Sequence, residues 1–290
     1  MRLAAVKSWR YQLRRIEPRE IAASDADLLV MDYAPDRVYG VELPFSKEDV
    51  QRMRKKHDGG ERILLAYLSI GEAERYRTYW DNTWYDAPTR PPWLLEANKD
   101  WDGNFKVRFW DRDWQRIVFG SPQAYLDRIL GAGFDGVYLD RADVFQELEA
   151  ENPQAEDAME RFIAELAAHA RKLRPEALIV MQNAEELVHR TRVRLAIDGI
   201  AKEDLFYGVD HNEAPNEPGM VRDSLADLAY AQKHGLKVLV VEYLSSPVAA
   251  EQATRRIGTL DYLPLIAERS LGTLFYRPVP LPAASTKTDD

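Results

Sequence analysis

The chain carries eight short runs that are apolar on both of their faces, and they recur along nearly its whole length. They are Trp9–Leu13, Asp27–Tyr33, Arg62–Ile70, Gly136–Asp140, Leu178–Asn183, Ile197–Glu203, Lys237–Tyr243 and Gly272–Tyr276. A strand with one wet face alternates apolar and polar residues. A strand covered on both faces does not, and that is the pattern of a buried parallel sheet. Parallel neighbours cannot be joined by a tight turn and need a crossover, usually a helix. The intervening segments supply it. Ser46–Lys56 opens on Ser46 with Asp49 three residues on, close to a capping box. Ser121–Leu130 has Pro122 directly after a serine. Ala155–Leu173 stops before Pro175, Arg222–His234 stops at Gly235, and Glu251–Ser270 is a helical pattern interrupted by Pro264. Strand and helix alternating in this way over ~250 residues predict one α/β domain, a (β/α)8 TIM barrel. The barrel is expected over residues 1–277, with 278–290, rich in Pro, Ser and Thr, as a flexible tail. Residues 76–114 break the rhythm. They are rich in Trp, Pro, Asn and Asp and predict a long excursion after the third strand.

Composition excludes several kinds of chemistry. The formal net charge is -9, and no cluster of Lys and Arg stands ready to displace counterions, so nucleic acid is not an expected partner. There are no cysteines, which removes disulfides, thiolate metal sites and cysteine nucleophiles. No apolar run nears the ~20 residues that span a bilayer, and the first nine residues lack the apolar stretch of a signal peptide. The histidines show no paired ligand spacing, so no metal site is expected from them. Hard cations held by carboxylates alone stay open. Gly131, Gly133 and Gly136 spell GxGxxG but precede a strand, where a dinucleotide phosphate would find no helix N-terminus. Their expected use is to end a helix and turn into the fourth strand. No cofactor is expected.

Acids gather at the C-terminal ends of the predicted strands. Asp32 lies at the end of the second, Glu72 and Glu74 follow the third, Asp140 ends the fourth, Glu203 the sixth, and Glu242 lies near the end of the seventh; Asn183 ends the fifth. In a parallel barrel these ends share one face, which is where active sites of such barrels sit. Carboxylates crowded together shift one another's pKa values, a common mark of a functional site. Paired carboxylates suit glycoside hydrolysis, where one protonates the leaving oxygen and the other attacks the anomeric carbon or activates water. Aromatic residues fit a sugar substrate, because their faces can stack on sugar C–H faces. Tyr33, Tyr67, Tyr138, Tyr207, Tyr243 and Tyr276 lie in or beside strand ends, and Trp80, Trp84, Trp93, Trp101 and Trp110 fall in the excursion.

Three stretches carry a family resemblance: LLAYLSIGEAERYRTYW, PPWLLEANKDWDGNFKVRFWDRDWQ and GFDGVYLDRADVF. Together they resemble glycoside hydrolase family 114, whose members are endo-α-1,4-polygalactosaminidases and related barrel proteins. The resemblance runs from Trp9 to about Tyr276. It implies a retaining hydrolase of α-1,4-linked galactosamine-containing polysaccharide, with Asp140 as nucleophile and Glu203 as acid/base. Glu242 is the rival for the second role. Asp32, Glu72 and Asp111 are then expected to hold sugar hydroxyls or ammonium groups. Asn183 and Tyr243 neighbour the reacting ring, and Tyr33, Trp110, Glu242 and Tyr276 complete the substrate contacts. The family also implies secretion, for which this N-terminus offers no signal. Two other readings keep the fold: a barrel that binds glycans without cleaving them, and a carboxylate-metal lyase or aldolase.

The acids at the strand ends, with Asp143 and Asp204, outnumber the nearby cations Arg141, Lys202 and Arg277. Such a cleft is expected to attract an amino sugar carrying an ammonium group. The opposite expectation is that Arg75, Arg77, Arg108 and Arg112 pair with these acids and neutralise them.

Overall fold

A computed structural model describes residues 3–34, 42–86 and 88–278. The strands in chain order are β1 (Trp9–Gln12), β2 (Leu28–Met31), β3 (Ile63–Ser69), β4 (Glu72–Glu74), β5 (Leu94–Ala97) and β6 (Asn104–Val107). They continue with β7 (Gly136–Asp140), β8 (Leu178–Gln182), β9 (Gly199–Glu203), β10 (Lys237–Tyr243) and β11 (Leu263–Ala267). Eight of them form one parallel sheet in the order β1-β2-β3-β7-β8-β9-β10-β11. The sheet curls until its edges meet, where Trp9 Nε1 donates to the Leu263 carbonyl at 3.1 Å and Leu13 N donates to the Leu271 carbonyl at 2.8 Å. The result is the nearly closed (β/α)8 barrel expected from the apolar runs.

Helices cover the outside: α1 (Pro18–Ala23), α2 (Lys47–Arg54), α3 (Arg112–Val118), α4 (Tyr125–Ala132), α5 (Val144–Glu147), α6 (Ala155–Leu173), α7 (Thr191–Ala196), α8 (Pro218–Lys233) and α9 (Pro247–Thr259). The two faces of each strand therefore enter two apolar layers. Tyr11, Val30, Leu65, Tyr138, Val180, Ala201 and Val241 fill the barrel interior. Leu29, Leu64, Leu139, Ile179 and Val240 face outward and pack with Met53, Ile129, Phe162, Leu228 and Ile257 of the helices. Burial on both sides is why the strands lack polar alternation.

Local signals act largely as expected. Ser46 caps α2 by accepting from Asp49 N at 3.1 Å. Gly133 ends α4 in the left-handed region at φ 108°, where a side chain is disfavoured. A Cβ on Gly136 would lie 1.9 Å from the Leu178 carbonyl, so only glycine lets β7 start this close to β8.

Several boundaries differ. The eighth strand is Leu263–Ala267, and Gly272–Tyr276 is irregular. Pro264 reads as a break in a long helix, but α9 already ends at Thr259 and the proline lies in the edge strand, where a missing N–H is tolerated. α4 begins at Tyr125, leaving Pro122 in the preceding turn. α8 begins four residues earlier than expected, opened by Pro218 and capped by the Glu217 carboxylate on Gly219 N. The excursion supplies β5 and β6, which form a small antiparallel sheet with β4 just before it in the order β4-β6-β5, and the start of α3. Residues 279–290, nearly all of the expected tail, lie outside the described residues.

Candidate active site

The period of two along a strand decides which side chains reach the barrel mouth. Tyr138 points inward, and so does Asp140 two residues on. The same step leads from Val180 to Gln182, from Ala201 to Glu203, from Val241 to Tyr243, from Leu65 to Tyr67 and from Trp9 to Tyr11. Their polar tips converge on one cleft of about 810 Å³, at the upper end of the usual range for ligand pockets.

At its floor the two carboxyl groups share a donor. Gln182 Nε2 lies 3.0 Å from Asp140 Oδ1 and 2.6 Å from Glu203 Oε2. Those two oxygens are therefore no more than about 5.6 Å apart, the sum of the two distances. Tyr67 donates its hydroxyl to the other Asp140 oxygen at 2.6 Å. Tyr243 donates to Glu203 Oε1, and Tyr11 donates to Gln182 Oε1 at 3.3 Å, which fixes the amide's orientation. Arg269 stacks 4.6 Å from the centre of the Tyr243 ring and pairs with Asp204 through both terminal nitrogens.

Burial pushes the Asp140 carboxyl up to about 6, while the Tyr67 hydrogen bond opposes the rise. Burial pushes Glu203 further, to about 8; the neighbouring Asp140 charge adds to the rise and the Tyr243 hydroxyl opposes it. At neutral pH the pair is therefore one carboxylate and one carboxylic acid. Such divergence separates an acid from a base in a shared site.

Three of these strands, β7, β8 and β9, leave the barrel through a residue with positive φ: Arg141 at 59°, Asn183 at 55° and Asp204 at 52°. Non-glycine residues held there cost on the order of 1–3 kcal/mol each, and such positions concentrate at functional sites. Here the sharp turns begin immediately after Asp140, Gln182 and Glu203. Asn183 lines the cleft and accepts from Glu203 N at 3.1 Å, tying the turn after β8 to the end of β9.

The remaining rim acids are mostly engaged. Arg77 is buried and pairs with Asp32 at 2.7 Å, Glu74 at 2.7 Å and Glu42 at 3.0 Å. Glu72 is also buried. It accepts from Asn98 Nδ2 at 2.8 Å and Asn104 Nδ2 at 2.9 Å, and pairs with Arg141 at 2.9 Å. Among the described residues, no group of three or more His, Asp or Glu side chains is arranged to hold a metal. No helix among them is long and apolar enough to cross a membrane.

The cleft thus brings together Asp32, Glu72, Asp140, Asn183, Glu203 and Tyr243 of the expected residues. Glu242 is not among its walls. It alternates with Val241 and Tyr243, so it faces outward, fully buried, and accepts from Phe206 N at 2.8 Å. Asp111 caps α3, accepting from Asp113 N at 2.8 Å. Trp110 lines a separate small pocket with Arg112, Gln115 and Arg161. Tyr33 is buried edge-on against Tyr125. Tyr276 donates to the Leu244 carbonyl at 3.2 Å and does not line the cleft. Gln182 stands in the cleft without having been singled out, although the period of two points to it. Arg77, expected among the arginines that pair with these acids, does so with Asp32, Glu42 and Glu74.

The sequence model of glycoside-hydrolase family GH114 matches residues 2–279. The chain belongs to family GH114. An uncharacterized protein of Methanocaldococcus jannaschii is 37% identical over 279 residues, spanning 90% of this chain and 75% of that protein. Among solved structures, the glycoside hydrolase domain of PelA from Pseudomonas aeruginosa aligns with a TM-score of 0.70 at 16% identity, covering 93% of this chain and 98% of that one. Ega3 of Aspergillus fumigatus, in complex with galactosamine, aligns with a TM-score of 0.64 at 17% identity, covering 92% of each chain. At such identities the two structures establish the shared barrel fold. GH114 membership makes the protein a glycoside hydrolase by family, with a carbohydrate substrate.

Proposed function

We propose that this GH114 protein is a retaining glycosidase of α-1,4-linked galactosamine-containing polysaccharide, with Asp140 as nucleophile and Glu203 as acid and base. The observation that carries the reading is the shared donor: one amide nitrogen reaches both carboxyl groups. Retaining enzymes hold their two carboxyls about 5–5.5 Å apart, whereas inverting ones need about 6.5–9.5 Å to admit a water between them. The bound of about 5.6 Å on the facing oxygens supports the first geometry.

The protonation states match the roles. Glu203 gives its proton to the glycosidic oxygen while ionised Asp140 attacks the anomeric carbon. The bond to the leaving sugar breaks and an ester to Asp140 forms. Glu203, now a carboxylate, takes a proton from water as the water oxygen attacks the same carbon. The ester bond breaks, Asp140 leaves as carboxylate and Glu203 is protonated again. Two inversions preserve the α configuration. Gln182 steadies both groups, and Tyr67 holds the Asp140 oxygen that does not face Glu203. The galactosamine bound to Ega3 and the family match support the sugar assignment.

The test is proton NMR of freshly released product from α-1,4-galactosamine oligomers. The α anomer should appear first, and Asp140→Asn should lower kcat by on the order of 10³-fold or more. Glu203→Ala supplied with azide should yield a glycosyl azide of retained configuration. A β product would replace the retaining route with an inverting one. Absence of turnover on every galactosamine oligomer would overturn the substrate assignment.

A further inference from the structure

Of the six tryptophans in the excursion, one is placed to meet a ligand. Trp114 is fully buried and donates to the Ile70 carbonyl at 2.9 Å. Trp93 is buried. Trp80 and Trp84 pack on each other with ring centres 5.1 Å apart, and Trp84 packs on Trp93 at 5.0 Å. Trp110 lies against Phe109 and lines the separate small pocket. Trp101 lines the same cleft as Asp140 and Glu203, is 49% exposed, and makes no ring contact among the described residues.

The loop that carries it is built to hold it there. Asn98 and Asn104 close its ends, with Asn98 N donating to the Asn104 carbonyl at 2.8 Å. Glu72, buried between the loop and the barrel, accepts from the side-chain amides of both asparagines. Arg75 N donates to the Gly103 carbonyl at 2.8 Å, and the Arg75 side chain pairs with Asp102 at 2.7 Å. Gly103 sits at φ 89°, and a Cβ there would come within 2.9 Å of Arg75 Nε. These anchors are polar and use backbone groups and the side chains of the ring's neighbours, including the Trp101 carbonyl, which accepts from Asn104 N at 3.1 Å. None of them engages the indole, which stays half exposed at the cleft.

We propose that Trp101 is the aromatic platform of an outlying sugar subsite, stacking on a pyranose of the chain that is not the one being cleaved. Its place follows from the network. Asn104, Glu72 and Arg141 stand between the loop and Asp140. A ring seated at the carboxyl pair leaves the Trp101 end of the cleft for another residue of the same polymer. The subsite takes a neutral sugar face, so it recognises chain length rather than amino-group charge. Remote contacts of this kind lower the barrier for long substrates and are lost to short ones. The inference rests on the hydrolase reading above for its substrate class.

The experiment measures kcat/KM for a galactosamine hexamer and for a short aryl galactosaminide, in the wild type, Trp101→Ala and Trp101→Phe. The ratio of the two constants, which cancels any loss of folded protein, should fall about tenfold in Trp101→Ala and stay near the wild-type value in Trp101→Phe. An unchanged ratio in Trp101→Ala would overturn the subsite while leaving the hydrolase intact. Calorimetric binding of the hexamer to Asp140→Asn, with and without Trp101→Ala, repeats the comparison without turnover. Hexamer binding that depends on Trp101, with a wild-type protein that never cleaves the hexamer, would sink the hydrolase reading and keep the subsite. No binding of the hexamer, or binding indifferent to Trp101, would remove the subsite.

Discussion

Asp140 and Glu203 are chemically similar groups in the same cleft, and what separates them is their neighbours. Both rise through burial and each has a tyrosine hydroxyl, Tyr67 or Tyr243, that favours its charged form, but Glu203 also faces the Asp140 charge. Retaining chemistry needs the first ionised and the second protonated. Activity should therefore climb as pH passes about 6, when Asp140 loses its proton, and fall as pH passes about 8, when Glu203 loses its own. Tyr67→Phe removes the hydrogen bond that holds Asp140 down. Its acidic limb should move to higher pH, the bell should narrow, and kcat should drop by roughly tenfold, since hydrogen bonds to charged groups contribute about 1.5–3 kcal/mol. A pH–rate profile of the variant decides it. An acidic limb that stays in place would mean that Tyr67 does not set the ionisation of the nucleophile.

On the scale of a strand, one residue of offset separates a cleft acid from a structural one. Glu242 belongs to β10 between Val241 and Tyr243, both of which face the barrel interior, so its carboxyl is turned outward and buried. It accepts from Phe206 N, in the segment that follows Glu203, and burial pushes it up to about 8. In the unfolded chain a glutamate titrates near 4.3. The neutral form fits the folded site, so Glu242's favourable contribution is complete below about 4.3 and is lost as pH rises toward 8. The loss is on the order of a few kcal/mol. Glu242→Gln carries no such charge. Its melting temperature relative to wild type should rise between pH 5 and pH 8, and a difference that stays constant across that range would count against a buried neutral glutamate. The same offset marks how far the sequence could be read. Strand ends and their acids were visible as apolar runs ending in Asp, Asn or Glu, and the barrel followed. Facing was also written there, because Gln182 stands two residues beyond Val180 and Glu242 one beyond Val241. The edge strand Leu263–Ala267 was hidden by Pro264, whose usual meaning in a helical pattern is a break. Arg77 was legible as one of four arginines that could neutralise the acids, but not which acids it would take. Two of its three carboxylate partners lie 45 and 35 residues away, and pairing at such separations is a product of the fold.

Across the whole molecule the charge of the cleft is a balance between two expectations that each hold in part. Arg77 pairs with Asp32, Glu42 and Glu74, Arg75 with Asp102, and Arg141 with Glu72, so these acids are not bare. Arg108 and Arg112 do not contribute, because they pair with Glu151 and Glu165 away from the cleft. Among the described residues, the cleft walls still hold nine carboxyl groups against five arginines, and a protonated Glu203 leaves carboxylates in surplus. The chain as a whole carries -9. The field at the mouth therefore favours a cation, and charge focused in a cleft raises local substrate concentration and on-rate. Because arginines offset much of the acid, the preference should be moderate. Oligomers of galactosamine with free ammonium groups should bind Asp140→Asn several-fold more tightly than their fully N-acetylated counterparts at low ionic strength. Raising the salt shortens the screening length to about 8–10 Å near 0.1–0.15 M and should shrink that preference, while binding of the acetylated oligomers stays level. The two series, measured by calorimetry at several salt concentrations, give the slope directly. Equal affinity for both series at every salt would show that the arginines cancel the cleft's field, and that the protein selects its sugar by shape and stacking alone.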